Sequence, residues 1–308
     1  MATILITGGT GLIGKALSKA LLDKGHQVII LSRQQNLPAE GNLRYAHWDI
    51  EQQLIDREAI AASDHIIHLA GAGVAEKRWT AKRKKEIVDS RARSGELLVK
   101  ALKEISNKVR SVASASAIGW YGPDPVVPNP DPFEEEDKAD DGFLGKTCLQ
   151  WEQSIDPVKQ LGKRLVKLRT GIVLSKEGGA LEEFRKPLKF GVATILGSGN
   201  QVVSWIHIDD LIRLYIRCIE DEKMEGVYNA VAPKPVSNRE LVLQLAKEVK
   251  GKFYIPLYVP SFVLKLVLGE MSIEVLKSAT VSCSKVRIAD FTFAYPTIEA
   301  ALASFHSK

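Results

Sequence analysis

The segment Thr7-Gly8-Gly9-Thr10-Gly11-Leu12-Ile13-Gly14 constrains this chain more than any other. It follows the apolar run at 2–7 (ATILIT), which reads as a buried strand. It opens a stretch in which Leu12, Ile13, Ala16, Leu17, Ala20 and Leu21 recur at helical spacing, with Gly25 placed to end the helix. Gly8, Gly11 and Gly14 therefore stand between a strand and a helix with the spacing GxxGxxG. That spacing serves a tight turn at Gly8, close approach of backbone to a pyrophosphate near Gly11, and close helix-to-sheet packing at Gly14. The helix N-terminus then offers N–H groups and partial positive charge to phosphates. Glycines alone fit a bare strand-to-helix turn as well. With the strand before and the helix after, Gly8, Thr10, Gly11, Leu12, Ile13 and Gly14 are expected to hold a dinucleotide.

The end of the second strand, QVIILS at 27–32, decides which dinucleotide. A fold preferring NAD places Asp or Glu there, about 20 residues past the glycines, to accept from the ribose 2′-hydroxyl. Here the position reads Ser32-Arg33. A guanidinium pairs bidentately with a 2′-phosphate and a hydroxyl donates to it, whereas a carboxylate would repel it. The expectation is NADP, bound in part by Ser32 and Arg33, against the alternative that Arg33 is an exposed loop arginine.

Further strands are expected at 43–50, 65–71, 111–117 and 164–174, with helices at about 80–105 and 143–161. Strands separated by helices, without hairpin turns, imply a parallel sheet covered on both faces. At 308 residues and 45% apolar, the chain can bury such a core. The fold class is α/β, a Rossmann doubly wound parallel sheet with a smaller C-terminal substrate lobe. Residues 1–174 plus 205–228 are assigned to the NADP-binding domain, and 175–204 plus 229–308 to the lobe. Ser237 and Glu240 are spaced as a helix-opening capping box.

Cys148, Cys218 and Cys283 lie 70 and 65 residues apart, which gives no metal-binding or redox spacing, and an odd count argues against an oxidising compartment. No signal peptide is evident at the start, so the cytoplasm is the expected location and no membrane partner is expected. The apolar run at 262–269 is far shorter than the ~20 residues a bilayer needs and reads as a core helix or a wall of the lobe. The formal charge of +5 hides two opposed segments: residues 76–93 carry eight basic and three acidic residues, and 134–141 (EEEDKADD) carry six acids and one lysine. The basic segment precedes an apolar helical pattern and has Trp79 as its one aromatic, so a solvated helix face is preferred over nucleic-acid binding.

The chain resembles the extended short-chain dehydrogenase/reductase superfamily in TGGTGLIG, the aspartate of HWDI, HLAGAG at 68–73, SASAIGWYG at 114–122 and SWIHIDDL at 204–211. More narrowly, KRWT, SRARS, LRTGIVLSKEGGAL, LGSGNQVVSWIHIDDL and LGEM resemble its epimerase-like subfamily, NAD-dependent epimerase/dehydratases akin to nucleoside-diphosphate-sugar epimerases, along essentially the whole chain. The resemblance implies that Asp49 accepts from the adenine amino group and that Leu69, Ala70 and Gly71 line the adenosine side of the cleft. It also implies that Glu86 and Arg91 reach the ribose or phosphates, and that Val173, after an Arg169-Thr170-Gly171 turn, packs by the nicotinamide.

Catalysis in the superfamily uses a tyrosine, a lysine four residues later and a Ser/Thr on the preceding strand, the lysine lowering the phenol pKa for proton exchange. Ser116 matches the serine, but Leu144 and Cys148 stand where Tyr and Lys should. Proton transfer is then expected from Tyr121 or a carboxylate such as Glu135. His207 reads as a contact between lobes. The expected function is an NADP-dependent oxidoreductase or epimerase that transfers hydride to and from a nucleotide sugar or another small hydroxyl or carbonyl substrate. The alternative is a non-catalytic NADP(H) sensor. A homodimer through helices 80–105 and 143–161 is implied by the resemblance, although the basic charge along the first opposes it.

Overall fold

The computed structural model describes residues 1–34 and 37–305. The strands are β1 Thr3–Thr7, β2 Gln27–Ser32, β3 Leu43–Asp49, β4 Leu54–Ile55, β5 His65–His68, β6 Ser111–Ala117, β7 Arg164–Thr170, β8 Ile172–Ser175, β9 Gly178–Gly179, β10 Val192–Leu196, β11 Val202–Val203, β12 Trp205–His207, β13 Gly226–Ala230, β14 Val236–Ser237 and β15 Ile255–Val259. The helices are α1 Leu12–Asp23, α2 Arg57–Ala62, α3 Ala81–Glu104, α4 Phe143–Ile155, α5 Ala180–Leu188, α6 Ile208–Glu220, α7 Asn238–Lys250, α8 Ser261–Leu268, α9 Ser272–Leu276, α10 Ser284–Ile288 and α11 Ile298–Ser304.

Eight strands form one sheet in the order β13-β7-β6-β5-β1-β2-β3-β4, parallel throughout except for β4, which runs antiparallel on the edge. Alternation along each strand feeds two cores. Ile4 and Ile6 of β1 meet Leu17 and Leu21 of α1 and Leu211, Leu214 and Tyr215 of α6 on one face. Leu5 meets Leu97 and Leu98 of α3, Ile60 of α2 and Ile155 of α4 on the other. Burying each such aliphatic side chain contributes about 1.5–3 kcal/mol. Successive strands leave β1 on opposite sides, β2 one way and β5 the other, so the glycine loop sits at the switch point where open α/β sheets bind ligands.

The structure departs from the expected elements in identifiable ways. The run at 164–174 is two strands rather than one. Gly171 parts them because a Cβ there would lie 2.6 Å from the Ser204 carbonyl oxygen, and β8 then leaves the main sheet to pair with β12. The helix expected to 161 ends at Ile155 and continues as a tighter turn over Asp156–Leu161, in which Pro157 has no N–H to give. Among its residues α8 buries only Leu264, while Phe262 is 72% and Leu266 76% exposed, so it is not a core helix. Among the described residues no helix is long and apolar enough to cross a membrane.

A third core, including Leu174, Leu181, Ile195, Trp205, Leu241, Leu245 and Ile298, joins β8, α5, β10, β12, α7 and α11. Two buried carboxylates bind these C-terminal segments to the main sheet. Asp124 accepts from Ser278 Oγ at 2.7 Å, Thr280 N at 2.9 Å and Thr280 Oγ1 at 2.8 Å; beside it Phe133 bridges to Val281. Asp210 accepts from the backbone N–H groups of Ala294 and Tyr295 at 2.8 and 2.9 Å. His207, expected as such a contact, caps α6 through Nδ1, stacks on Tyr295 at 3.8 Å and bonds Ser304 Oγ through Nε2.

Candidate functional site

Each glycine of the loop has its own spatial reason. Gly8 adopts φ 68°, the left-handed region, and lies against the Leu69 carbonyl. A Cβ on Gly14 would stand 2.3 Å from the Gly8 carbonyl oxygen, so only glycine lets the first turn of α1 tuck under the loop. Gly11 differs: the nearest atom to its Cβ direction is that same oxygen at 3.4 Å, and the remaining space is open. Gly11 caps α1 with no side-chain hydrogen bond, and no acid occupies the first turn. Thr10 and Gly11 are exposed and Leu12 and Ile13 half-buried, leaving first-turn N–H groups to face an anion. Leu12 also touches the position of Gly179, which in turn adjoins the Val173 carbonyl, so Val173 lies near the first turn of α1.

Thr7 ties this loop to β5. Its Oγ1 accepts from Leu69 N at 3.0 Å and Ala70 N at 3.1 Å, so its proton goes to His68 Nδ1 at 2.7 Å. Nε2 then carries the ring hydrogen toward Ser94 Oγ at 3.3 Å. Both ring nitrogens of the neutral imidazole are thus committed, and burial, with the charge of Arg91, holds the pKa down to about 3. The unfolded ring titrates near 6.5, so the unfolded chain binds the extra proton between pH 6.5 and 3. The stability contributed by neutral His68 is complete above pH 6.5 and falls by about 1.4 kcal/mol per unit below it. His68→Gln is expected to flatten the decline in urea midpoint between pH 6.5 and 4; an equally steep decline would place the proton uptake elsewhere.

At the end of β2 the Ser32 hydroxyl is buried and accepts from Gln34 N, while Arg33 is exposed. Residues 35 and 36, which follow, lie outside the described residues. Asp49 ends β3 half-buried, and its Oδ1 accepts from Glu51 N at 2.8 Å and Gln52 N at 3.0 Å, which fixes the carboxylate. Leu69, Ala70 and Gly71 continue from β5 over the loop. Behind Gly71 stands Arg91, 9% exposed, whose Nη1 donates to the Ala72 and Ile87 carbonyls and whose guanidinium covers the Trp151 ring at 4.9 Å. Burial lowers its pKa to about 10, which leaves it charged at neutral pH. Among the described residues no carboxylate pairs with it. Glu86, implied as a ribose or phosphate contact, is exposed and paired with Arg83 at 2.8 Å. The basic stretch is likewise no simple solvated face, since Arg83 is buried and held by Glu76 and Glu86 while Arg91 points inward.

Ser116 and Tyr121, expected to handle protons, are committed to a buried polar network. Ser116 Oγ donates to Glu152 Oε1 at 2.8 Å. Glu152 also receives Arg169 Nε at 2.8 Å and Lys167 Nζ at 3.0 Å. Burial pushes the Glu152 carboxyl up, but Arg169, Lys167 and Ser116 together bring it below its ordinary value. Tyr121 is fully buried; its hydroxyl donates to Asn229 Oδ1 at 2.7 Å and accepts from Arg169 Nη1 at 3.1 Å. Burial drives the phenol up to about 12, far from a group that exchanges protons at neutral pH. Glu135 is turned inward too, accepting from Asn229 N at 2.7 Å. Arg169, anticipated in a turn, lies on β7 with its guanidinium 3.6 Å from the Trp120 ring centroid. Leu144 and Cys148 pack behind Gly119, and Cys148 Sγ donates to the Ala117 carbonyl. Burial lifts that thiol to about 12, so it is an inert core group. Lys167, Glu152 and Arg169 escaped sequence reasoning because helix and strand bring them together only in the fold.

A model of the NAD dependent epimerase/dehydratase family matches residues 4–144, and one of a domain of unknown function matches residues 259–305. An epimerase family protein of Mycobacterium bovis is 34% identical over 304 residues, covering 98% of this chain and 96% of the relative. One of Staphylococcus saprophyticus is 35% identical over 307 residues, 98% of each chain. Among solved structures, a human epimerase family protein with NADPH matches with TM-score 0.85 and 27% identity, covering 98% of both chains. The nucleoside-diphosphate sugar epimerase from Corynebacterium glutamicum matches at TM-score 0.77 and 31% identity, over 98% of this chain and 57% of that one. With likeness running almost end to end and the glycine loop placed at the switch point of a doubly wound sheet, the chain belongs to the epimerase family, its residues 4–144 forming an NAD dependent epimerase/dehydratase region.

Proposed function

We propose that this chain is an NADP(H)-dependent oxidoreductase or epimerase that acts by hydride transfer on a nucleotide sugar or another small hydroxyl- or carbonyl-bearing substrate. The observation that carries the reading is the loop itself: open backbone at Gly11, an uncapped helix N-terminus behind it, and Ser32-Arg33 where an NAD-selective site would hold a carboxylate. Bound NADPH supplies a hydride at this site. The chain's part is to hold the pyrophosphate on the N–H groups of the loop, to offer Arg33 to the 2′-phosphate, and to keep Asp49 and residues 69–71 along the adenosine. Arg91, a buried cation that pairs with no carboxylate among the described residues, is assigned to a ligand anion. The NADPH-bound human relative supports the cofactor, and the Corynebacterium relative supports the substrate class. Residues 1–174 plus 205–228 are assigned to cofactor binding and 175–204 plus 229–308 to substrate, in a cytoplasmic protein.

NADPH is expected to bind at least tenfold tighter than NADH, and Arg33→Asp to reverse or erase that preference in a fluorescence titration. Equal affinities for the two cofactors in the native chain would overturn the assignment. A second reading, an NADP(H) sensor without turnover, is favoured by the committed hydroxyls of Ser116 and Tyr121 and by Leu144 and Cys148 on α4. Screening NADPH oxidation against carbonyls and nucleotide sugars separates the two, since any substrate reduced eliminates the pure sensor.

A further inference from the structure

The exposed apolar surface of the C-terminal lobe is concentrated in one stretch. Phe190 and Phe253 are 87% and 86% exposed, and Ile255, Leu257, Phe262 and Leu266 are exposed as well. Two turns present the first pair of rings. One closes α5, with Phe190 N donating to the Pro187 carbonyl, and the other follows α7, with Phe253 N donating to the Lys250 carbonyl. The turns stand side by side, because Ile255 N donates to the Gly191 carbonyl at 2.9 Å and Lys250 Nζ reaches the Lys189 carbonyl at 3.5 Å. From there β15 leads into α8, on which Phe262 and Leu266 lie one turn apart. At these exposures the three phenylalanines alone present on the order of 500 Å². An apolar surface of that size marks a binding face.

Charge decides what the face binds. Residues 184–204 and 249–269 contain Arg185, Lys186, Lys189, Lys250, Lys252 and Lys265 and no acid. A lysine stands directly before each protruding ring, Lys189 before Phe190 and Lys252 before Phe253. The acids that border these segments, Glu183, Glu248 and Glu270, are met by Lys186, Gln244 and Lys84. Two such faces joined by a twofold axis would set lysine against lysine, which opposes a second copy. An added strand fits no better. Ile255 N and the Val259 carbonyl both turn to β10, so by alternation Pro256, which has no N–H, stands on the open edge of β15. Rings that project from turns among cations suit an anionic lipid surface, where the rings insert and the ammonium groups meet phosphates.

We propose that this face docks the chain peripherally on a membrane that carries anionic lipid. Phe190 and Phe253 enter the boundary between headgroups and acyl chains, and the exposed apolar side chains of β15 and α8 follow them. Lys189, Lys252 and Lys265 keep their stems along the apolar layer and their charges at the lipid phosphates. Among the described residues no helix is long and apolar enough to cross a membrane, and lying on its surface requires none.

The test is sedimentation of the full chain with vesicles at about 0.1 M salt. Vesicles of phosphatidylcholine with about one-third phosphatidylglycerol are expected to bind it at least about tenfold more tightly than phosphatidylcholine alone. Phe190→Ser with Phe253→Ser should weaken that binding by about tenfold or more while the thermal midpoint holds. Lys189→Gln with Lys252→Gln should weaken it by about 25-fold, about fivefold for each lysine. Lys100→Gln with Lys103→Gln removes the same charge from the C-terminal end of α3 and should change binding by no more than about twofold. If the phenylalanine pair does not fold, Phe253→Ser alone takes its place. Absent or equal binding to the two vesicle types, full retention in the phenylalanine variant, or an equal loss in the α3 control overturns the proposal. So does a native dimer in light scattering that the phenylalanine variant lacks, since a second copy would then cover this face.

Discussion

Replacing Arg169 with methionine is expected to lower the stability of the chain by about 3–5 kcal/mol, the usual cost of leaving a buried charge without its partner. Glu152 would lose two of its donors, and Tyr121, the Glu135 carbonyl and the Trp120 ring would lose the guanidinium that joins them. Lys167 would remain as the nearest cation, 3.0 Å from Glu152, so part of the charge would still be met. Urea unfolding at pH 7 should show a midpoint shift of that size. Glu152→Gln is expected to cost a comparable amount, since the amide keeps a bond to Ser116 but leaves the buried Arg169 without its carboxylate and Lys167 with Asp156 alone. A shift below about 1 kcal/mol for Arg169→Met would mean that water replaces the guanidinium, and that the network is less closed than its distances indicate.

The second large effect separates two glycines three residues apart. Gly14→Val is expected to weaken NADPH binding by about a hundredfold or more and to destabilise the chain by roughly 1–3 kcal/mol or more, because its side chain must displace the backbone of Gly8 and Gly9. Gly11→Ala meets nothing but the Gly8 carbonyl oxygen at 3.4 Å, so its thermal midpoint should hold within a few degrees while NADPH affinity falls. Calorimetry with and without cofactor reads both quantities. Unchanged affinity in Gly11→Ala would move the pyrophosphate away from that face of the loop.

What the sequence disclosed and what it withheld follow from range. The glycine loop was legible because the turn at Gly8 and the contacts of Gly11 and Gly14 lie within a few residues of one another, and the parallel sheet because period and connection length are local. Ser116 and Tyr121 were mistaken for free groups because their partners, Glu152, Asn229 and Arg169, arrive from other elements, and nothing in the spacing announces them. The partner of Glu86 in the fold is Arg83, one helical turn back, a pairing that its motif does not announce. The bond from Lys277 to the Tyr121 carbonyl left no mark in the sequence either, since 156 residues separate the two.

The same span bears on how the chain is made. Asp124 and Phe133 follow β6 and, beyond the nearby Asn129 and Tyr121, find their partners in residues 278–282, with Thr280 156 positions after Asp124. At the roughly 5–20 residues per second of synthesis, the loop after β6 waits about 8–30 s for the strand that completes it. Through that interval the Asp124 carboxylate holds Asn129 alone of its side-chain donors. A chain ending ahead of Ser278 would leave the Asp124 carboxylate with Asn129 in place of the three donors that Ser278 and Thr280 supply.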